Sequence, residues 1–86
     1  MNDKFKALAD PTRRSILELL QKRDLTAGEI SSHFALTKPS VSNHLKILKQ
    51  AEFIQSARHG QFIIYSINNS VFENLIQWFL IFKKKE

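Results

Sequence analysis

The chain contains no cysteine. That absence excludes a disulfide framework and any thiolate metal site, and a reducing, cytoplasmic compartment is the expectation. Glycine and proline are scarce, two of each in 86 residues, so most of the chain must be regular structure. Acidic residues are the minority: 13 Lys and Arg against 8 Asp and Glu leave a net charge of +5, which points to a polyanionic partner. No apolar run approaches the roughly twenty residues needed to cross a bilayer, so no membrane insertion is expected. The opening MNDKFKALAD carries acids and no apolar stretch, unlike a signal peptide.

The apolar fraction of 43% is too high for disorder and sufficient for one modest core. A single domain over residues 1–86 is therefore expected. Asp10 before Pro11 reads as a helix start, because the carboxylate can accept from orphan amides and proline has no amide to leave unpaired there. Ile16, Leu17, Leu19 and Leu20 give that helix an apolar stripe, and a short helix over residues 3–9 precedes it. Thr26 and Glu29 have the spacing of a capping box, which starts a helix over residues 27–35. Thr37 starts another, about fourteen residues and about 21 Å long. FIQSARHGQFIIYSI then reads as a β-hairpin turning at His59 and Gly60, where glycine supplies a positive φ. Asn69 or Ser70 caps a last helix through VFENLIQWFLIF, which closes in Lys83, Lys84 and Lys85. The fold class that follows is mostly α with one hairpin, in the order helix, helix, helix, helix, hairpin, helix: a winged helix-turn-helix.

The fourth helix is the informative one. Val41, Leu45 and Leu48 share a face that must be buried, which turns Pro39, Asn43, Lys46 and Gln50 outward with Ser42 beside them. Lys38 and Ser40 stand at its amino end. Hydroxyls, an amide and cations suit base edges and phosphates. Asn43 is the best candidate reader, since a carboxamide pairs bidentately with adenine, worth about 1–3 kcal/mol of discrimination. Any solvated amphipathic helix has a polar face, so charge placement decides. Between residues 38 and 61, Lys38, Lys46, Lys49 and Arg58 stand against Glu52 alone, a local net charge of +3. Arg58, His59, Gly60 and Gln61 form the wing tip, where a cation beside a turn can grip phosphate or enter a minor groove.

DPTRRSILELL, LTKPSVSNHLKILKQA and RHGQFIIYSI, in this order, resemble the ArsR-type winged-helix repressors, and in particular their short autorepressor branch. The resemblance covers nearly the whole chain. It implies a homodimer joined through its first and last helices and repression by occupying an inverted repeat over a promoter. It also places DNA contacts on Lys38, Pro39, Ser42 and Asn43 and on the wing from Arg58 to Gln61, with Asn43 standing where many such proteins carry histidine. Members of that family that sense metals use cysteines in the third helix, or Asp, His and Glu on the last. This chain has no cysteine and only Glu73 on the last helix before its lysines. His33, His44 and His59 lie on three different elements, whereas zinc takes about four ligands in close array, so no metal or other cofactor is expected. His33 reads as a half-buried helix residue and His44 as a flank of the reading helix.

The last helix is apolar nearly all the way round, more than a chain of this size can cover. A second copy is the economical cover, with Phe5, Leu8, Val71, Leu75, Trp78, Phe79 and Phe82 as candidate interface residues. Two reading helices related by a two-fold axis would meet successive major grooves about 34 Å apart, so a near-palindromic double-stranded operator is expected. With no metal ligands, relief of repression falls to a protein partner or to simple autoregulation. Arg13 and Arg14 oppose the dipole of the helix they begin, and an ion-pair ladder from Asp10 through Arg14 to Glu18 is the expected compensation, with phosphate contact as the alternative.

Four other classes fit these residues less well. A metal-sensing repressor lacks ligands. A winged helix used only as a protein-interaction module, an antitoxin or adaptor, would bind no genomic fragment. WFLIFKKK has the aromatic and cationic character of a peripheral membrane segment, but that does not account for the helix-turn-helix. An enzyme is not expected, since Ser42 and His44 face different directions and no phosphate loop is present.

Overall fold

The computed structural model describes residues 2–83. The expected lysine closure of the last helix falls partly on Lys84 and Lys85, which lie outside the described residues. The element order is α1 (Asn2–Ala9), α2 (Pro11–Lys22), β1 (Leu25–Thr26), α3 (Ala27–Phe34), α4 (Lys38–Gln50), β2 (Ile54–His59), β3 (Phe62–Ile67) and α5 (Asn69–Lys83). This is the winged helix-turn-helix read from the sequence, with one strand more.

Local chemistry sets most boundaries. Asp10 Oδ2 accepts from the Arg13 amide at 3.0 Å and Pro11 opens α2. Thr26 and Glu29 form the reciprocal capping box of α3, with bonds of 2.9 and 3.2 Å. Thr37 Oγ1 accepts from the Ser40 amide at 3.3 Å to start α4. At its other end α4 closes in a Schellman arrangement: the Phe53 amide donates to Leu48 and the Glu52 amide to Lys49, both at 3.0 Å, with Glu52 at φ 67°. The expected cap of α5 differs. The helix begins at Asn69 itself, and the residue before it, Asn68, spends its side-chain amide on the Glu52 carbonyl at 3.0 Å.

The three strands are antiparallel in the order β1-β3-β2. β1 pairs Leu25 with Tyr65 and Thr26 with Ile64, and so ties the helix-turn-helix to the wing. Two residues cannot display a period-two pattern, which is why the sequence hid this strand. Between β2 and β3 the register runs from Ile54 opposite Ile67 to His59 opposite Phe62. Gly60 holds φ 62° as the first of two turn residues, the position glycine takes in a type II′ hairpin.

One core joins the layers. Ile16, Leu17 and Leu20 of α2, Ile30 of α3, and Val41, Leu45 and Leu48 of α4 meet Leu25, Phe53 and Ile54. Leu19 is only half-buried at its edge. From α5 the core takes Val71 and Leu75, with Phe72 packed at its edge 5.0 Å from the ring of Phe53. Beyond Leu75 the apolar side chains of that helix emerge: Phe79 is 53% exposed, Ile81 60% and Phe82 57%.

Candidate nucleic-acid interface

The buried stripe of α4 fixes which of its residues face outward. With Val41, Leu45 and Leu48 inside, Lys38, Pro39, Ser42, Asn43 and Lys46 are exposed, and Ser40 is half-buried behind the Thr37 cap. Arg58, His59, Gly60 and Gln61 are all exposed at the end of the hairpin. A cleft of about 400 Å³ runs between the two regions, and Lys38, Ser42 and Gln61 meet along it. Its other walls are Thr26, Ala27 and Gly28 at the start of α3 and Phe62, Ile63 and Tyr65 of β3. None of those six was a candidate contact in the sequence, where Thr26 stood out only as a helix cap and FIIY only as a strand.

Strand alternation separates the wing residues. Arg58 pairs with Ile63 and, two residues back, Ser56 pairs with Tyr65, on the face of the sheet that also carries the buried Ile54. Arg58 is thereby on the same side as α4. His59 and Phe62 alternate to the other face, and Phe62 is left 56% exposed. Lys49, part of the local positive charge, is turned from this surface toward the sheet, where its ammonium donates to Ser56 Oγ at 2.7 Å.

The arginines at the start of α2 act differently from the expected ladder. Arg13 Nε donates to the Ala7 carbonyl at 2.9 Å and its Nη2 to that of Lys6 at 3.0 Å, while Arg14 Nη1 donates to the Leu8 carbonyl at 2.6 Å. These carbonyls close α1, where a helix has no partners of its own and favours a cation. The charges that oppose the dipole of α2 therefore complement that of α1, and among the described residues neither arginine pairs with Glu18. The backbone turn at Asp10 brings the two helix ends together, a proximity that spacing along one helix cannot reveal.

The histidines also part from expectation. His33 is exposed on α3, its ring edge-on to Phe34 with centroids 4.9 Å apart. His44 turns inward from α4: its side chain is 16% exposed, and Nδ1 lies 3.4 Å from Arg13 Nη1 and 3.9 Å from Asp10 Oδ2. The Asp10 carboxyl is held below its usual range, first by the hydrogen bond from the Arg13 amide and then by the charges of Arg13 and His44, against a partial desolvation. Glu29 is likewise lowered, chiefly by the Thr26 amide. Among the described residues no three His, Asp or Glu side chains gather as a metal would require.

The candidate interface residues divide. Val71 and Leu75 are closed inside the subunit, since the first turns of α5 lie over the core, so neither is free to meet a partner. Leu8 is half-buried against the same core. Phe5, 39% exposed, stacks at 5.9 Å on Trp78, which also meets Phe79 and Phe82 at 5.3 and 5.0 Å. The exposed apolar surface therefore runs round the later turns of α5 through Ile76, Phe79, Leu80, Ile81 and Phe82, with Phe5 and the half-buried Trp78 beside them, and Ile76, Leu80 and Ile81 were not in the candidate set.

Residues 10–56, from the cap of α2 into β2, match the family described as "Bacterial regulatory protein, arsR family". The chain belongs to the ArsR family. It is similar to the transcriptional repressor SdpR of Bacillus subtilis (strain 168), at 56% identity over 85 residues, covering 99% of this chain and 94% of that protein. It is also similar to the arsenical resistance operon repressor of Staphylococcus aureus, at 32% identity over 73 residues, covering 85% of this chain and 70% of the relative. Among solved structures, an ArsR family transcriptional regulator superposes with a TM-score of 0.86 at 29% identity, covering 96% of this chain and 86% of that one. An ArsR-like transcriptional regulator from Rhodococcus sp. RHA1 reaches 0.88 at 21% identity, covering 98% and 79%, and shares the fold. This ArsR-family chain is accordingly a transcriptional regulator and not an enzyme. No helix among its described residues is long and apolar enough to cross a membrane.

Proposed function

We propose that the protein is a metal-independent repressor that binds an inverted-repeat operator in double-stranded DNA as a homodimer. The observation that carries this reading is the cleft lined by Lys38 and Ser42 of α4 and by Gln61 of the wing, so that a helix and a hairpin tip share one concave surface with a cation at its edge. In it Asn43 reads a base edge in the major groove, with Ser42 and Pro39 beside it. Lys38 and Lys46 hold phosphates, Ser40 supports the amino end of the helix, and Arg58, His59, Gly60 and Gln61 touch the flanking backbone or minor groove. The exposed apolar surface of Phe5, Ile76, Phe79, Leu80, Ile81 and Phe82, with the half-buried Trp78, receives a second copy, which sets two reading helices for successive major grooves. Metal independence is supported by the lack of any thiol and by the absence, among the described residues, of three His, Asp or Glu side chains in one group. Repression is then steric, and its relief falls to a protein partner or to autoregulation.

Selection of bound fragments from genomic DNA tests the reading. A near-palindrome should emerge, and its affinity should fall steeply with salt, each neutralised phosphate contributing about 0.9 to the log–log slope. Lys46→Ala should weaken every sequence alike, and Asn43→Ala should relax preference at one base pair in each half-site. No enrichment of any sequence, or equal loss on all sequences from Asn43→Ala, would remove the assignment.

A further inference from the structure

Asn43 reads a base only if α4 is held at a fixed depth and rotation. A bidentate amide tolerates about 0.5 Å of displacement, whereas a lysine reaching a phosphate is forgiving. The packing of Val41, Leu45 and Leu48 is apolar and therefore non-directional. Besides the Lys49–Ser56 bond near its far end, α4 has a directional contact at the residue next to Asn43: His44 Nδ1, 3.4 Å from Arg13 Nη1. The same guanidinium donates through its other two nitrogens to the Lys6 and Ala7 carbonyls, at 3.0 and 2.9 Å. One side chain of α2 thus joins the end of α1 to the reading helix, and α1 also carries Phe5 of the uncovered apolar face.

We propose that Arg13 and His44 are positioning residues for DNA reading, linking α1 to α4 so that Asn43 is presented at one depth. This rests on the DNA-binding reading above. The chemistry of the link is restrictive. A guanidinium has donors only, so the contact is a hydrogen bond when Nδ1 is bare and the ring proton sits on Nε2. Protonation of Nδ1 removes the acceptor and places two cations together, with Asp10 Oδ2 at 3.9 Å as the anion that can draw the ring away. The charged groups facing the ring are Asp10 and Arg13 of α2, and Asp3 and Lys6 of α1 line the cleft beside Arg13. A lysine at position 13 has no fork with which to reach two carbonyls and a ring at once.

The test uses the full chain, the tightest duplex from the genomic selection, and that duplex altered at the base pair identified by Asn43→Ala. His44→Phe keeps a ring without an acceptor, and His44→Asn keeps an acceptor near Nδ1 that cannot titrate. Discrimination between the two duplexes should fall about tenfold in His44→Phe and in Arg13→Lys and be retained in His44→Asn. Thermal unfolding, followed in parallel, confirms that each variant is folded. Unaltered discrimination in His44→Phe, or an equal loss in His44→Asn, overturns the proposal. If no duplex is selected at all, the DNA-binding reading fails and a second readout decides the link. At a single pH, amide protection over residues 2–9 should fall in His44→Phe and be retained in His44→Asn, and equal protection in the parent chain and His44→Phe overturns it.

Discussion

Helices α4 and α5, 13 and 15 residues long, each press a stripe into the same core, yet their outer sides are opposites. Outside Val41, Leu45 and Leu48, α4 shows hydroxyls, an amide and lysines. Outside Val71 and Leu75, α5 shows Ile76, Phe79, Leu80, Ile81 and Phe82. Water accepts the first surface without cost and the second only at a loss that a partner can recover. The inner stripes of the two helices state the fold and the outer ones state the company the protein keeps.

The sharpest way to break this comparison is to attack the inner stripes. Leu45→Ala in α4 and Leu75→Ala in α5 should each cost about 2–5 kcal/mol in urea unfolding, because both side chains are almost fully enclosed. A cost below about 1 kcal/mol for Leu75→Ala would mean that the first half of α5 is not part of the core. The outer stripes should respond otherwise. Phe79→Ser combined with Ile81→Ser should change the stability of the isolated subunit by no more than about 0.5 kcal/mol, since both are exposed, yet leave a monomer at micromolar concentration in sedimentation. A persistent dimer in that variant would move the interface elsewhere on the molecule.

A smaller effect separates the supports of the two helices. α4 leans through His44 on Asp10 and Arg13, so it depends on the cap of α2, while α5 makes no such contact among the described residues. Asp10→Ala should cost about 1 kcal/mol by loss of the cap. The carboxyl is held below its ordinary value, so its contribution is complete above the range in which an unfolded aspartate titrates. It is lost as pH falls through the lower value of the folded state. Asp10→Asn retains a capping oxygen and should flatten that acid-side decline. An unchanged decline, measured by thermal unfolding against pH, would assign it to another carboxylate.

Helix boundaries were legible wherever a side chain within four residues settled them: Asp10 with Pro11, Thr26 with Glu29, Thr37, and Gly60 in the hairpin. The buried stripe of α4 was legible for the same reason, since periodicity is local, and it exposed the polar set opposite. What escaped depends on contacts distant in sequence. β1 exists because Leu25 meets Tyr65, the role of Arg13 comes from the fold-back of α1 on α2, and His44 looked like a flanking residue until α2 was placed beneath it. Composition could say that α5 has more apolar surface than one subunit covers. It could not say that Val71 and Leu75 belong to the inside and Ile76, Leu80 and Ile81 to the outside, because a helix apolar all round has no phase.

The smallest predicted effect concerns the turn that sets the angle of α4. Ala35, between α3 and α4, holds φ 55° and ψ 36°, a left-handed conformation that costs an L-residue about 1–2 kcal/mol. The turn is closed on both sides of it, the Leu36 amide donating to the Ser31 carbonyl at 3.2 Å and Ser31 Oγ to the Leu36 carbonyl at 2.6 Å. Its geometry should therefore survive substitution. Ala35→Gly removes the steric cost and adds chain entropy to the unfolded state, opposing terms whose balance favours glycine by less than about 1 kcal/mol. Glu52 has the same backbone sign at the far end of α4, but its exchange would also remove the 3.6 Å contact with Lys4, so position 35 is the cleaner test. A modest rise in the unfolding midpoint with unchanged sedimentation is expected, because this turn bears on α4 and not on the apolar face of α5. A fall in the midpoint would mean that the exposed methyl of Ala35 packs better than its solvent contact implies, and that the approach of α4 is set by side chains more than by the backbone of the turn.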